Sequence, residues 1–155
     1  MYSIDVYTAV KNFFTANFQS ELTAYETAKS LAPGTIRPLT WIDYINKMNE
    51  NYPYMLITER LGEYSPENFT STKKTYQFSV LFEYEGGDPA TIARDLLIYR
   101  DAIVSLIERF PTFGDTVGSV TQRGVSPAIT GEKASGVYGG TVVINFDVTV
   151  YTKIR

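Results

Sequence analysis

The chain has 155 residues, a formal net charge of −3, 44% hydrophobic and 20% charged residues, and neither Cys nor His. This length and composition predict one globular domain, residues 1–155, and the acidic balance argues against tight nucleic-acid binding, which needs Lys and Arg to neutralise phosphates. Without Cys or His, thiol nucleophiles, Ser-His triads and zinc sites built from those ligands are excluded.

The first part of the chain reads as helix followed by an irregular segment. Apolar side chains recur at helical spacing over residues 4–17, which predicts an amphipathic helix. The apolar stripe is thinner over residues 19–29, so that this part either continues the helix or forms a loop. Pro and Gly then interrupt the pattern, and residues 19–51 are expected to be an irregular or helical insertion. Within it, residues 40–49 form either a short helix or a strand.

Two strands are predicted next, over residues 54–60 and 72–85. In the second of these, apolar and polar residues alternate, which indicates a sheet with one buried and one solvent-facing side. The apolar set is Tyr76, Phe78, Val80, Phe82 and Tyr84. Gly, Pro, Ser and Asn are frequent over residues 61–71, which predicts a flexible loop between the strands.

A central helix follows, with signals at both ends. Asp88 is expected to cap its first turn, Pro89 suits the first helical position, and Pro111 ends it. Its predicted core stripe is Ile92, Leu96, Ile103 and Ile107, widened by Ala93, Leu97, Val104 and Leu106.

Two residues of this helix depart from the simple amphipathic pattern. Arg100 is expected to project into the apolar arc and Ile98 to project away from it. Either Arg100 extends its charge outward and Ile98 is an ordinary surface residue, or both contact other subunits. Ile98 and Arg100 are therefore candidate subunit-interface residues.

The last part of the chain predicts a second pair of strands. A turn at residues 112–115 leads to a strand over 117–125, and clear alternation predicts another over 141–153. The connection at residues 126–140 contains Pro and four glycines and is long for a hairpin, so a flexible, functional loop is expected.

Together these elements predict an α+β fold in the order helix-strand-strand-helix-strand-strand. Its single antiparallel or mixed sheet has about four main strands, and two α-helices pack on one face.

The search for chemistry finds no catalytic signature. No phosphate loop or dinucleotide fingerprint is present. Glu83, Glu85 and Asp147 leave carboxylate-only catalysis open, although a solvated sheet face is the more ordinary interpretation. No catalytic residue, cofactor or metal site is predicted, and a binding or structural module is favoured over an enzyme. No apolar stretch approaches the ~20 residues of a membrane span, and the start of the chain lacks a signal-peptide pattern. The protein is expected to be made in the cytoplasm.

The chain resembles the tail terminator (tail completion) proteins of long-tailed bacteriophages. Three features carry the resemblance: the element order, the helix with the sequence Ala-Arg-Asp-Leu-Leu-x-x-Arg-Asp-Ala-Ile, and the closing strand with the sequence Val-Val-Ile-Asn-Phe-Asp-Val-Thr-Val-Tyr. This resemblance covers about residues 1–17 and 54–153. The chain also resembles, more loosely, the small neck proteins at the head–tail junction.

The resemblance implies a non-enzymatic virion protein that forms a ring, with a hexamer as the expected state. The ring would cap the tail tube protein and join it to the head connector or stopper protein, while DNA passes through the lumen without sequence-specific binding. The two loops are then candidate partner contacts. The residues singled out in them are Pro66, Asn68, Thr70, Ser126, Glu132 and Lys133.

Three alternatives stay open. The first alternative is a different neck protein, such as a stopper or head-completion protein. The second is a tail tube subunit, which would polymerise into long tubes. From a different class, a small-ligand-binding or hydrolase domain would place Glu83, Glu85 or Asp147 in a deep pocket.

Overall fold

One sheet carries two long helices on the same face. The computed structural model describes residues 3–43, 52–68, 71–134 and 136–153. Their order is α1, three strands, α2 and three further strands. The predicted α+β class is confirmed.

The first helix, α1, spans Ser3–Ala28. Residues 19–28 therefore continue the helix and do not form a loop. The reason is that the buried face extends along the whole element, because a buried side chain recurs at every fourth residue. This set is Val6, Val10, Phe14, Phe18, Leu22 and Glu26.

The second helix, α2, spans Pro89–Arg109 and has the predicted ends. The Asp88 carboxylate accepts a hydrogen bond from the Thr91 backbone N–H at 3.0 Å, and Pro89 occupies the first helical position. The four predicted core residues are all at most 3% exposed. They are Ile92, Leu96, Ile103 and Ile107.

The predicted flanks of the α2 stripe need correction. Ile98 was expected to face outward but is only 9% exposed, whereas Leu97, expected in the core, is 39% exposed. The cause is α1, which runs antiparallel to α2: Phe13 contacts Phe110 at one end, and the later residues of α1 lie beside Ile98. Neighbouring helices cover both flanks of a helix unequally, which periodicity alone does not reveal.

In the described residues the sheet has six strands, which include the four main strands that were predicted. They are β1 Trp41–Asp43, β2 Tyr54–Asn68, β3 Ser71–Glu85, β4 Ser119–Val125, β5 Ile129–Ala134 and β6 Val137–Lys153. Their order across the sheet is β1-β2-β3-β6-β4, and β5 pairs with the beginning of β6. All pairs are antiparallel except β1 with β2.

The core lies between the helices and the apolar face of β3 and β6. Both alternating sets are buried as predicted. They are Tyr76, Phe78, Val80, Phe82 and Tyr84 in β3 and Val142, Ile144, Phe146, Val148 and Val150 in β6. Aromatic rings join α1 to this face, with Phe18 stacked on Phe82 at 5.3 Å between centroids and Phe14 edge-on to Phe146 at 5.8 Å. The prediction that both helices pack on one face is confirmed.

Both segments predicted as loops form paired strands over most of their length. Residues 61–68 belong to β2 and residue 71 to β3, so most of the 61–71 segment is a long hairpin. Most of the 126–140 segment is likewise a hairpin, formed by β5 and the start of β6. Cross-strand pairing overrides the turn propensity of Gly and Pro in both places. Of the two alternatives for residues 40–49, a strand is found at 41–43, and residues 44–51 lie outside the described residues.

The two borders of the sheet differ. At one border, β1 covers only Tyr54–Leu56 of β2, and in the described residues the rest of β2 pairs on one side alone. At the other border, β4 and β5 follow one another along β6. Each long hairpin therefore contributes one border strand of the sheet, β2 in the first hairpin and β5 in the second.

Candidate assembly surfaces

The described part of the β2–β3 hairpin carries two of the predicted contact residues. Pro66 lies in β2 opposite Thr72, and Asn68 lies opposite Ser71. Thr70 is outside the described residues. A register shift between Pro66 and Asn68 interrupts the ladder. Proline and bulges are features that guard open strand borders against uncontrolled pairing.

The β4–β5–β6 region carries the other three. Ser126 is used within the fold, because its Oγ accepts the Val143 N–H at 2.9 Å and its own N–H donates to the Val143 carbonyl at 2.8 Å. Glu132 is exposed and accepts the Gly136 N–H at 2.8 Å, which holds the hairpin turn. Lys133 lies in β5. Ser126 and Glu132 thus stabilise the hairpin itself.

Exposed apolar side chains in the same region were missed by the sequence analysis. Ile129 is 64% exposed, Val125 42% and Val137 40%. All three lie in or beside the β5–β6 hairpin, at the ends of neighbouring strands. Ile129 and Val137 lie at opposite ends of the hairpin and Val125 lies in β4 beside it, so the three are separate exposed apolar groups along one border of the sheet.

The solvent-facing side of the sheet holds the three singled-out carboxylates. Asp147 pairs with Arg123 at 2.7 Å, and Glu83 accepts a hydrogen bond from the Tyr54 hydroxyl. Burial, followed by this bond to Glu83, raises the pKa of Tyr54. Asp147 lies opposite Gln77, six residues along β3 from Glu83, so the two carboxylates are about 20 Å apart along the strands. That separation exceeds the roughly 5–9.5 Å of a glycosidase carboxylate pair.

A buried polar cluster, here called the Asp95 cluster, links α2 to the segment after α1. The Asp95 side chain is 0% exposed. It accepts two bonds from the Arg94 guanidinium, at 2.8 and 3.0 Å, and one each from the Tyr84 hydroxyl at 3.1 Å and the Arg37 N–H at 3.4 Å. Both carboxylate oxygens are thus occupied by donors from the fold, as a buried charge requires.

Further contacts tie the same segment down. Tyr99 donates to the Arg37 carbonyl, Arg94 donates to the Thr35 carbonyl at 3.0 Å, and the Thr35 N–H donates to the buried Glu26 carboxylate at 2.8 Å. Burial is the main cause that raises the pKa of Tyr99, with the Asp95 charge second. The Asp95 cluster therefore fixes the chain that leads into β1.

A groove between the helices, here called the α1–α2 groove, has a volume of about 580 Å³. Its floor is apolar and its rim carries charges. It is lined by Glu21, Ala24, Tyr25, Arg94, Leu97, Ile98, Asp101, Ala102 and Ser105. Ile98, the candidate interface residue, forms part of this lining. Arg100 is outside it and pairs with Asp101 at 3.2 Å, with 24% of its side chain exposed.

A second groove, of about 720 Å³, lies between the first half of α1 and the turn that follows α2. Its lining includes three aromatic rings, of which Phe13 stacks on Phe113 at 4.3 Å between centroids and meets Phe110 edge-on at 5.7 Å.

The part of the chain that the structure describes lacks two classes of site. It contains no group of three or more Asp or Glu side chains arranged to hold a metal ion. None of its helices combines the length and apolar character needed to cross a membrane.

Comparison with known proteins assigns no family. Neither a scan of protein-family models nor a search of curated proteins finds a match to this chain.

Proposed function

We propose that this protein is a structural component of a bacteriophage virion, a tail terminator that forms a ring at the head–tail junction. The proposal rests on the resemblance in element order and motifs described above. It is supported by a confirmed α+β fold in which both helices cover one sheet face and both hairpins reach the sheet borders.

Within the structure, the observation that best supports a ring is the inequality of the two sheet borders. A border formed by β2 and one formed by β4 and β5 present different surfaces. When two different surfaces of one chain bind each other, the contact is heterologous, and repeated copies close into a ring if the rotation permits. Such an arrangement also protects open strands from indiscriminate pairing.

The β5–β6 hairpin supplies the apolar part of this contact. Ile129, Val125 and Val137 are exposed in the single chain. Their burial against a neighbouring subunit or the next ring of the tail would stabilise an assembly through the hydrophobic effect. The tail tube protein and the head connector or stopper are the proposed partners on the two ring faces.

The charge of the chain suits a ring through which DNA passes. The formal net charge is −3, and Glu83, Glu85 and Asp147 lie on the solvent-facing side of the sheet. A lumen with few cationic contacts would not retain phosphates, because affinity for DNA depends on the number of phosphates neutralised by Lys and Arg. The DNA is therefore expected to pass through the ring without sequence-specific binding.

The solution mass tests this proposal. Light scattering on the purified full chain, over a wide concentration range, is expected to give a closed species with the mass of several 17.4-kDa chains, six for a hexamer. Long tubes of unlimited mass would favour a tail tube subunit. A monomer at all concentrations, together with saturable binding of a small ligand near Glu83, would favour the ligand-binding or hydrolase class.

A further inference from the structure

The border of β2 is free over a stretch with a defined beginning and end. β1 pairs with Tyr54–Leu56, so in the described residues the free border begins at Ile57. Pro66, beside a register shift, ends it, because proline has no N–H to donate to a further strand. The free border therefore spans residues 57–65, which is longer than the six residues of β5.

At the opposite border of the sheet, β5 is the strand that is open to a second neighbour. The start of β4 is covered by the segment that follows α2, since the Val120 N–H donates to the Pro111 carbonyl at 2.6 Å. In the part of the chain that the structure describes, β5 pairs with β6 alone. Its Ile129 side chain is 64% exposed.

The main-chain groups of β5 that point away from β6 are those of Thr130 and Glu132. Val143 of β6 faces this border, because its carbonyl accepts a backbone N–H from the residue after β4 at 2.8 Å. Alternation along β6 therefore directs Ile129 and Gly131 to bond with β6. The N–H and C=O groups of Thr130 and Glu132 lie between these bonds and point outward.

Strand direction makes the two borders complementary. β2 is antiparallel to β3, β3 to β6 and β6 to β5, so β5 runs opposite to β2. A neighbouring copy in the same orientation therefore presents its β5 antiparallel to β2. Antiparallel pairing is slightly more stable per residue than parallel pairing.

We infer that β5 of one copy pairs antiparallel with residues 57–65 in β2 of the next copy, so that main-chain hydrogen bonds join the sheets of neighbouring subunits. This inference rests on the proposed ring and names the strands that close it. The pairing provides partners for the outward groups of Thr130 and Glu132 and covers part of the exposed Ile129 side chain. β1 limits the register, because a strand displaced further along the border would meet β1 at Tyr54–Leu56.

Cysteine cross-linking between two variants tests the strand pairing. The chain has no cysteine, and Thr58 and Gly131 lie on the solvent-facing side of the sheet, opposite Ser79 and Gly139. A Cβ at Gly131 meets nothing within 4 Å, so a cysteine fits there. Co-expressed Thr58→Cys and Gly131→Cys chains are expected to form a covalent pair with a short bis-maleimide, whereas neither variant alone does.

The matched control moves the second cysteine to Thr121, an exposed residue of β4 at the same border. Thr121 lies opposite Asp147, whereas Gly131 lies opposite Gly139. Because these positions of β6 are about 26 Å apart along the strand, Thr58→Cys with Thr121→Cys is expected to give at least about tenfold less covalent product. Equal yields with the two partners, or efficient cross-linking of Gly131→Cys alone, would overturn the inference.

Light scattering on the same samples separates this inference from the proposed ring. Closed rings without the Thr58–Gly131 product would refute the strand pairing and leave the ring standing. The product in open filaments would support the strand pairing and refute the ring. Single chains without the product would contradict both.

Amide hydrogen exchange provides a second measurement, on the wild-type chain. On assembly, exchange of the Thr130 and Glu132 N–H groups is expected to slow by about tenfold or more, since a paired amide exchanges only when its pairing opens. The N–H groups of Ile129 and Gly131, which face β6 within one chain, are the internal controls and should change little. Thr130 and Glu132 N–H groups that exchange equally fast in the assembled and the dilute protein would overturn the inference.

Discussion

Asp95 illustrates how this fold accommodates a fully buried charge. Its two oxygens receive four donors from Arg94, Tyr84 and Arg37, which come from three separate parts of the chain. The sequence carried little signal of this arrangement, since Asp95 stands beside Arg94 in a helix and its other partners are 11 and 58 residues away. The position of a buried charge is therefore predictable only once the packing of the helices is known.

Replacement of this carboxylate is expected to be costly. Asp95→Asn keeps the shape but removes the charge opposite Arg94, which leaves a partly buried cation without its counter-charge. We expect the free energy of unfolding to fall by about 3 kcal/mol, measured by urea denaturation. Glu108→Gln, at an exposed side chain near the end of the same helix, is the matched control and should change it by less than about 0.5 kcal/mol. Equal effects of the two substitutions would contradict the role assigned to the Asp95 cluster.

The buried tyrosines predict a loss of stability in alkali. Burial raises the pKa of Tyr84 and Tyr99 in the folded chain, whereas in the unfolded chain these phenols titrate near an ordinary value of about 10. Above that pH the unfolded state holds fewer protons than the folded state, so the free energy of unfolding falls as pH rises. Below about pH 10, both states keep these phenols protonated, and the contribution of the two tyrosines to the free energy of unfolding is fully present.

Tyr99→Phe removes one of the two buried phenol groups that cause this pH dependence. Between about pH 10 and pH 11, we expect the slope of unfolding free energy against pH to become shallower by up to about 1.4 kcal/mol per pH unit. Urea denaturation at a series of pH values measures it. An unchanged slope would show that Tyr99 does not remain protonated in the folded chain.

At the scale of elements, the sequence predicted what local chemistry determines. The bounds of α2 follow from Asp88 and Pro89, and the buried faces of β3 and β6 follow from strict alternation. The two pairs of strands were predicted, but the extension of their pairing into residues 61–68 and 129–134 was missed, because Gly, Pro and Ser in these segments are also typical of loops. The α1–α2 groove was also beyond prediction, although Ile98, one of its lining residues, was singled out.

Gly140 tests how β5 and α2 are held on β6. A Cβ at this position would lie 2.7 Å from Leu96 Cδ1 and 2.8 Å from the Ile129 carbonyl oxygen. Gly140→Ala is therefore expected to destabilise the fold by about 1–3 kcal/mol through overpacking, measured by urea denaturation. At Gly131, in the paired strand, a Cβ would meet nothing within 4 Å, and Gly131→Ala should be nearly neutral. A neutral Gly140→Ala would contradict the close packing of these elements.

At the scale of the whole molecule, the exposed hairpin and the unequal sheet borders are the features that a single chain leaves uncovered. Ile129→Asp is expected to leave the monomer folded, because this side chain is 64% exposed, but to abolish assembly into rings. Ile4→Asp, at a side chain 61% exposed in the first turn of α1, is the matched control and should assemble normally. Circular dichroism verifies the fold and light scattering measures assembly. Loss of rings in both variants, or in neither, would remove the hairpin from the contact.

Electron microscopy of the purified wild-type chain tests the central claim most directly. The account predicts that end-on class averages contain a closed ring with cyclic symmetry and a central opening. Open filaments would contradict this account. Single chains alone, at the highest concentration at which the protein stays in solution, would contradict it as well.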